Sequence, residues 1–388
     1  MFAFIKRAFV SIIRKMVALI VFFMPIKKKK ILVSSYYGRG YGDNLKYIVE
    51  EFLSRNIKKL QIVWVVKNKE EARSLPLGVK SCLVYSMKYY YHLSTSKIWI
   101  DNCRKAFYYK KKNQYYVQTW HGFALKRIEK DVEHNLSSVY VERAKKDSKA
   151  IDVIISCSAF MERIYKNSFW YNGEVVNLGA PRNDIIINKD ANIIKKVKLY
   201  YSIKEKQKIV LYAPTFRKEQ SLSVYSLDFD KLLDCCNRKF GGDFIVLVRL
   251  HPNIATLASN IQYGQKIKNA TFYPDMQELL LATDVLISDY SSLMFDYALS
   301  LKPVFMFATD IDIYKNDRDF YFNLCDLPFN VSVNNEELEH NIMSFNIENY
   351  KLNLMNFYED VGMIIDGQAS KKVVDLILKK MKIRKELK

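Results

Sequence analysis

The stretch from Val285 to Leu299 constrains this chain most. Three apolar residues, Val285-Leu286-Ile287, run into Ser288-Asp289-Tyr290-Ser291-Ser292, and Leu293-Met294-Phe295-Asp296-Tyr297-Ala298-Leu299 continues at helical spacing. A short apolar strand, an abrupt polar turn and a helix make one half of a βαβ unit, and such units require a parallel sheet. Ser291 or Ser292 is the expected N-cap, leaving the amides of the first turn facing outward beyond the strand end. Free amides and the helix dipole both favour an anion there.

The same grammar recurs along the chain. Apolar runs are read at Lys30–Ser35, Gln61–Val66, Ser81–Tyr85, Lys97–Asp101, Tyr115–Thr119, Ile151–Ser156 and Val175–Leu178, with helical patterns between several of them. Further runs follow at Lys208–Tyr212, Asp243–Leu250, Asp284–Ser288 and Lys302–Phe307. Strands alternating with helices predict an α/β protein whose ligands lie at the carboxyl ends of the strands. At 388 residues, two domains are expected. The Gly179-Ala180-Pro181-Arg182-Asn183-Asp184 turn marks the boundary, so the domains are read as 27–185 and 186–388.

Strand ends carry the candidate chemistry. His121 follows one run directly and precedes Gly122, with Lys126 and Arg127 close behind; cations nearby favour a neutral imidazole, the form a general base needs. In the second half, Thr215 and Arg217 end one strand, where a hydroxyl and a guanidinium suit a phosphate. His251 is left at the tip of the next by Pro252, and Asp289-Tyr290-Ser291-Ser292 ends the third. Taken together, His121 is expected to face His251 across a single groove. The glycines of Tyr36-Tyr37-Gly38-Arg39-Gly40-Tyr41-Gly42-Asp43-Asn44 lack the dinucleotide spacing, but allow the backbone to approach a ligand.

The net charge of +20 points to an anionic partner. Nucleic acid is set aside, because no binding module is recognisable and the aromatics look buried rather than interleaved with cations. Residues 1–26 combine Phe2, Ile5, Phe9, Ile12, Ile13 and Val17 with basic pairs at Lys6-Arg7 and Arg14-Lys15, seven apart and so on one helical face. The uncharged run from Met16 to Ile26 is too short to span a bilayer, and Lys27 to Lys30 follow it. An amphipathic helix lying in an anionic membrane interface is the expectation. The carboxy-terminal stripe Val374, Ile377, Leu378 and Met381, flanked by lysines, reads as a closing helix. The six cysteines show no ligand spacing, so reduced core thiols are expected. No metal site and no cofactor are implied, although Mg²⁺ on a diphosphate substrate is compatible with the chain.

Ser35–Asn44, Trp120-His121-Gly122, Tyr212–Arg217, Leu250-His251-Pro252, Ser288–Ala298, Asp317–Phe322 and Asp366-Gly367-Gln368-Ala369 occur in this order over nearly the whole chain. In this the chain resembles the CDP-glycerol glycerophosphotransferases of teichoic acid and capsule synthesis, in particular the short, primase-type members. The resemblance implies a GT-B fold of two Rossmann-like domains facing a central cleft, with the donor on the second. It implies a polyprenyl-diphosphate-linked saccharide acceptor and peripheral attachment to the cytoplasmic face of the membrane. His121 then takes the base position and His251 the donor diphosphate position. Thr215, Arg217, Asp289, Ser291 and Ser292 fall on the donor phosphate side, Asp296 near the ribose, and Gly38, Arg39, Lys126 and Arg127 on the acceptor side. Where the family commonly has Thr-Pro after His-Gly, this chain has Phe123-Ala124, and Leu327-Pro328-Phe329-Asn330 replaces Leu-Pro-Gly-Pro. These departures leave ribitol phosphate or a capsule repeat unit as alternatives. A sugar transferase using a nucleotide sugar is a further rival, and a non-catalytic membrane adaptor is a rival of another class.

Overall fold

The computed structural model describes residues 16–106, 108–217, 226–250, 261–317 and 319–382. The chain forms two units. The first takes the chain through His121, then Glu129–Asp184, and again from Gln368 onward; the second comprises Gly122–Ile128 and Ile185–Gly367.

The first unit is built on seven parallel strands: β1 (Lys27–Ser34), β2 (Gln61–Val66), β3 (Val79–Leu83), β4 (Ser96–Asp101), β5 (Tyr115–Gln118), β6 (Val153–Ser156) and β7 (Glu174–Asn177). Their order is β3-β2-β1-β4-β5-β6-β7, so the winding reverses between β1 and β4. β1 is central, with Ile31 opposite both Ile62 and Ile98, and its last five residues are buried. Burial on both faces explains the unbroken apolar run Ile31-Leu32-Val33. The helix Asp43–Ser54 covers one face through Leu45, Ile48, Val49 and Phe52.

The final helix, Ala369–Met381, completes the same core with Val373, Val374, Ile377, Leu378 and Met381. The expected stripe is real, but its host differs: the helix closes the first unit, not the second, which corrects the 186–388 boundary. The physical reason lies in its amino end. The Asp184 carboxylate accepts from the amides of Ala369 (3.0 Å) and Ser370 (2.7 Å), so the turn read as a domain boundary caps the helix.

The second unit carries six parallel strands: β8 (Lys208–Ala213), β9 (Phe244–Val248), β10 (Ile267–Asn269), β11 (Val285–Ser288), β12 (Val304–Phe307) and β13 (Asn330–Ser332). The order β10-β9-β8-β11-β12-β13 is that of a doubly wound sheet, reversing between β8 and β11. β10 and β13 have no counterpart among the strands read from the sequence, being three residues each and edge-placed. The segment Gly122–Ile128 joins this unit by pairing: Arg127 N donates to the Asp319 carbonyl (2.8 Å) and Tyr321 N to that of Leu125 (2.9 Å). Phe123 sits among Phe295, Phe322 and Phe357, at 4.5 Å from the Phe295 ring. The Phe123-Ala124 departure is therefore a core substitution.

Of the expected amino-terminal helix, residues 1–15 lie outside the described residues. Residues 16–22 are helical; Ala18 is buried, while Met16, Leu19, Ile20 and Phe23 are exposed. Among the described residues, no helix is long and apolar enough to cross a membrane.

Candidate functional site

In the first unit, the chain ends of β1, β4 and β5 converge on His121. Its ring packs against Trp120, with centroids 4.3 Å apart and planes 28° from parallel. Nδ1 lies 2.6 Å from the Asn102 carbonyl, which can only accept, so Nδ1 carries the proton and Nε2 presents a lone pair. Burial opposes the imidazolium. It outweighs the Asn102 hydrogen bond and the Asp43 charge, so the pKa lies below the ordinary histidine value. Arg182 adds to the lowering. The neutral state expected from the sequence is thus reached mainly by burial, and the cation beside the ring is Arg182; Lys126 and Arg127 belong to the second unit, against the rings of Tyr314 and Tyr321.

Around His121 lies a set of polar side chains. The Asp43 carboxylate accepts from the Tyr36 hydroxyl, from Asn102 Nδ2 (3.1 Å) and from Arg182 Nη1 (3.3 Å). Arg182 Nη1 also donates to the His121 carbonyl (2.9 Å). Asn44 ties the two loops, its Nδ2 donating to the Trp120 carbonyl (3.2 Å) and its Oδ1 accepting from Arg182 N (3.2 Å). Asn102 and Arg182 received no role from the sequence. Asn102 follows β4 as His121 follows β5, so the strand-end rule applied to Asp101-Asn102 was the signal that could have found it.

Gly38 serves the scaffold. Its φ of +88° and its approach to β2, where a Cβ would stand 3.0 Å from the Val66 carbonyl carbon, both require glycine. Arg39 is exposed on the same loop.

In the second unit, the residues ending β8 and β11 meet where the sheet order reverses, the position at which doubly wound sheets bind ligands. Asp289 accepts from Thr215 N (2.8 Å), Thr215 Oγ1 (2.5 Å) and Arg217 Nη2 (2.9 Å). Arg217 Nε and Nη2 also reach Asp310 at 2.7 and 3.0 Å, and Nη1 donates to the Thr215 carbonyl (2.8 Å). Burial works against the guanidinium charge, but the two carboxylates prevail and hold its pKa above the usual arginine value. The group expected to hold a phosphate is instead committed to a buried clamp joining the three loops that follow β8, β11 and β12. Asp310, which the sequence reading passed over, is its third member.

Ser291 and Ser292 are part-exposed beside this clamp. Neither caps as expected: Ser292 is already helical and makes no side-chain cap, and Ser291 Oγ is a long 3.4 Å from Leu293 N. The helix Leu293–Ala298 has only six residues. Asp296 is buried, accepting from Gln277 Nε2 (3.2 Å). His251 lies outside the described residues.

Residues 16–379 match the model of the CDP-glycerol:poly(glycerophosphate) glycerophosphotransferase family. The chain is 30% identical to the teichoic acid poly(glycerol phosphate) polymerase of Staphylococcus epidermidis over 92% of its own length and 51% of the polymerase. It thus spans about half the length of that relative. With the teichoic acid glycerol-phosphate transferase of Staphylococcus aureus it shares 28% identity, covering 91% of this chain and 93% of the other. A structure of the wall teichoic acid polymerase TagF soaked with CDPG superposes with a TM-score of 0.83 at 28% identity, covering 96% of this chain and 95% of that one.

Proposed function

We propose a reaction on one premise: the chain belongs to the CDP-glycerol:poly(glycerophosphate) glycerophosphotransferase family. The reaction is transfer of glycerol phosphate from CDP-glycerol to a hydroxyl of a lipid-linked saccharide, with release of CMP, in the synthesis of teichoic acid or a related cell-surface polymer. The two parallel-sheet units are the halves of a GT-B arrangement in this reading, with the donor on the second.

The observation that carries it is the state of His121. Nδ1 is committed to the Asn102 carbonyl, and the lowered pKa keeps the ring neutral near pH 7, so Nε2 can take a proton. The acceptor hydroxyl passes its proton to Nε2 as its oxygen bonds to the phosphorus bearing glycerol. The bond from that phosphorus to the CMP oxygen breaks, and CMP departs with the electron pair. Charge growing on the transferred phosphate needs fixed positive partners, the dominant contribution in phosphoryl transfer. Ser291 and Ser292 at the second unit's switch point, together with His251, are the groups assigned to the donor diphosphate. Arg217 and Asp289 hold that loop in shape.

Replacing His121 by alanine should lower turnover by about two orders of magnitude or more with folding unchanged. CMP release from CDP-glycerol, with a lipid-linked disaccharide analogue as acceptor, measures this, and near-normal turnover removes His121 from the reaction. CDP-ribitol in a parallel assay distinguishes the polyol. UDP-sugars test the sugar-transferase alternative.

Peripheral attachment to the cytoplasmic face of the membrane is supported by the exposed Met16, Leu19, Ile20 and Phe23. Near them an open pocket of about 440 Å³ is lined by Phe22, Tyr109 and a run of lysines including Lys111, Lys112, Lys146 and Lys149. Apolar residues beside lysines suit an anionic interface. Sedimentation with phosphatidylglycerol vesicles but not with phosphatidylcholine vesicles is the expected result, and equal binding to both removes the electrostatic part.

A further inference from the structure

We infer that Asp43 is the positioning residue of the first unit's site: through Asn102 and Arg182 it sets the aim and the proton placement of His121. The inference rests on the reading of His121 as the base.

Three observations converge on it. Asp43 is the node of the network, since its carboxylate gathers the Tyr36 hydroxyl, Asn102 Nδ2 and Arg182 Nη1. Two of those partners also touch His121, Asn102 through its carbonyl to Nδ1 and Arg182 through the His121 carbonyl. Asp43 thus steers both the ring and the backbone of the histidine through these two partners.

The second observation is conformational. Tyr36, Tyr37, Asp43 and Trp120 all have positive φ, at 43°, 60°, 59° and 50°. Side chains disfavour this region, and such residues persist only where surrounding contacts hold them. Four of them fall on the two loops that carry the Asp43 network. The contacts that hold them include the Tyr36–Asp43 and Asn44–Trp120 hydrogen bonds.

The third is burial. Asp43 and Arg182 have side chains 3% and 8% exposed, so their mutual geometry is fixed by the protein and little screened by water. The ionisable groups acting on His121 are Asp43, Arg182 and Glu129. Tyr36 packs against the ring at 5.5 Å, and Cys103 Sγ lies 3.9 Å from Nδ1. Asp43 raises the histidine's proton affinity and Arg182 lowers it. Removing either should therefore move the acid limb of the pH profile, in opposite directions.

The test uses the full-length chain and the CMP-release assay, with kcat and KM followed from pH 5 to 9. Asp43→Asn should lower kcat by about tenfold or more, leave KM for CDP-glycerol within about threefold, and move the acid limb to lower pH. Arg182→Met should move that limb to higher pH. A purely structural role would lower the amount of active enzyme without shifting either limb. If Asp43→Asn fails to fold by circular dichroism, Arg182→Met and Tyr36→Phe carry the test. Unchanged kcat in Tyr36→Phe together with an unmoved limb in Arg182→Met then overturns the proposal. His121→Ala separates the two readings. If it stays active, the base assignment itself falls; if it is inactive while Asp43→Asn matches the parent in kcat and pH profile, only the positioning role falls.

Discussion

Replacing Arg217 by methionine separates a structural clamp from a ligand-binding cation. The guanidinium makes hydrogen bonds of 2.7 to 3.0 Å to Asp289, Asp310 and the Thr215 carbonyl, with side chains 9%, 3% and 10% exposed for Arg217, Asp289 and Asp310. Removing one partner of a buried ion pair costs about 3–5 kcal/mol, because the remaining charge is stranded. Here Asp289 keeps Thr215 N and Oγ1, and Asp310 keeps the Tyr290 hydroxyl at 3.0 Å, so the lower end, about 3 kcal/mol, is expected. With a urea slope of about 2 kcal/mol per molar, the midpoint should fall by roughly 1.5 M. The assay can be made unit-specific. All four tryptophans, Trp64, Trp99, Trp120 and Trp170, belong to the first unit, so their fluorescence follows that unit while far-ultraviolet dichroism follows both. Arg217→Met should move the dichroism transition ahead of the fluorescence transition. The sign with pH also follows. Burial alone would raise the Asp310 pKa, yet Arg217 and the Tyr290 hydroxyl hold it below the usual carboxylate value. Its stabilising contribution is therefore present above the unfolded carboxylate pKa and lost as pH falls through the folded one, so the gap between parent and variant should narrow in acid. A dichroism midpoint shifted by less than about 0.3 M, given that slope, would refute the clamp, as would both probes moving together.

Two further perturbations concern the first unit. Asp184→Ala removes the carboxylate that accepts from Ala369 N and Ser370 N, and should cost about 1–2 kcal/mol, read as an earlier tryptophan transition in urea; an unchanged midpoint removes the capping role. His92 is held down to about 4, first by burial and then by Lys30, Lys27, Lys80 and Lys88. The unfolded chain therefore takes up a proton near 6.5 while the folded chain refuses it, and stability should fall as pH drops from 6.5 toward 4. His92→Gln should flatten the difference between urea midpoints at pH 7 and pH 5, and equal differences in the two proteins count against the assignment.

Much of the architecture was legible in the residues. Gln61–Val66 was read with its observed bounds, and most other strands within a few residues, because strands buried on both faces are written as unbroken apolar runs. Ser158 and Asp275, short polar residues standing just before apolar-periodic segments, accept from Met161 N and Gln277 N as caps do. Strands β10 and β13 escaped because three residues at a sheet edge carry too little pattern to register. The host of the last helix escaped for a different reason. An apolar stripe says that a helix has a partner and does not say which, and here the partner lies more than three hundred residues earlier in the chain.

The site shows the same division. Strand-end residues could be listed from the sequence because each depends only on its neighbours along the chain, and this local grammar determined the two parallel sheets and the loops that carry chemistry. Which groups those loops bind is a matter of pairing across strands. Arg217 looks like a phosphate ligand until Asp289 and Asp310, 72 and 93 residues away, are seen to occupy it. His121 looks as though Lys126 and Arg127 tune it until burial, Asn102 and Arg182 are seen to do so. Desolvation and long-range hydrogen bonds exist only once the chain has folded, so the identity of the strand ends was written in the sequence, and their protonation and partners were decided by tertiary structure alone.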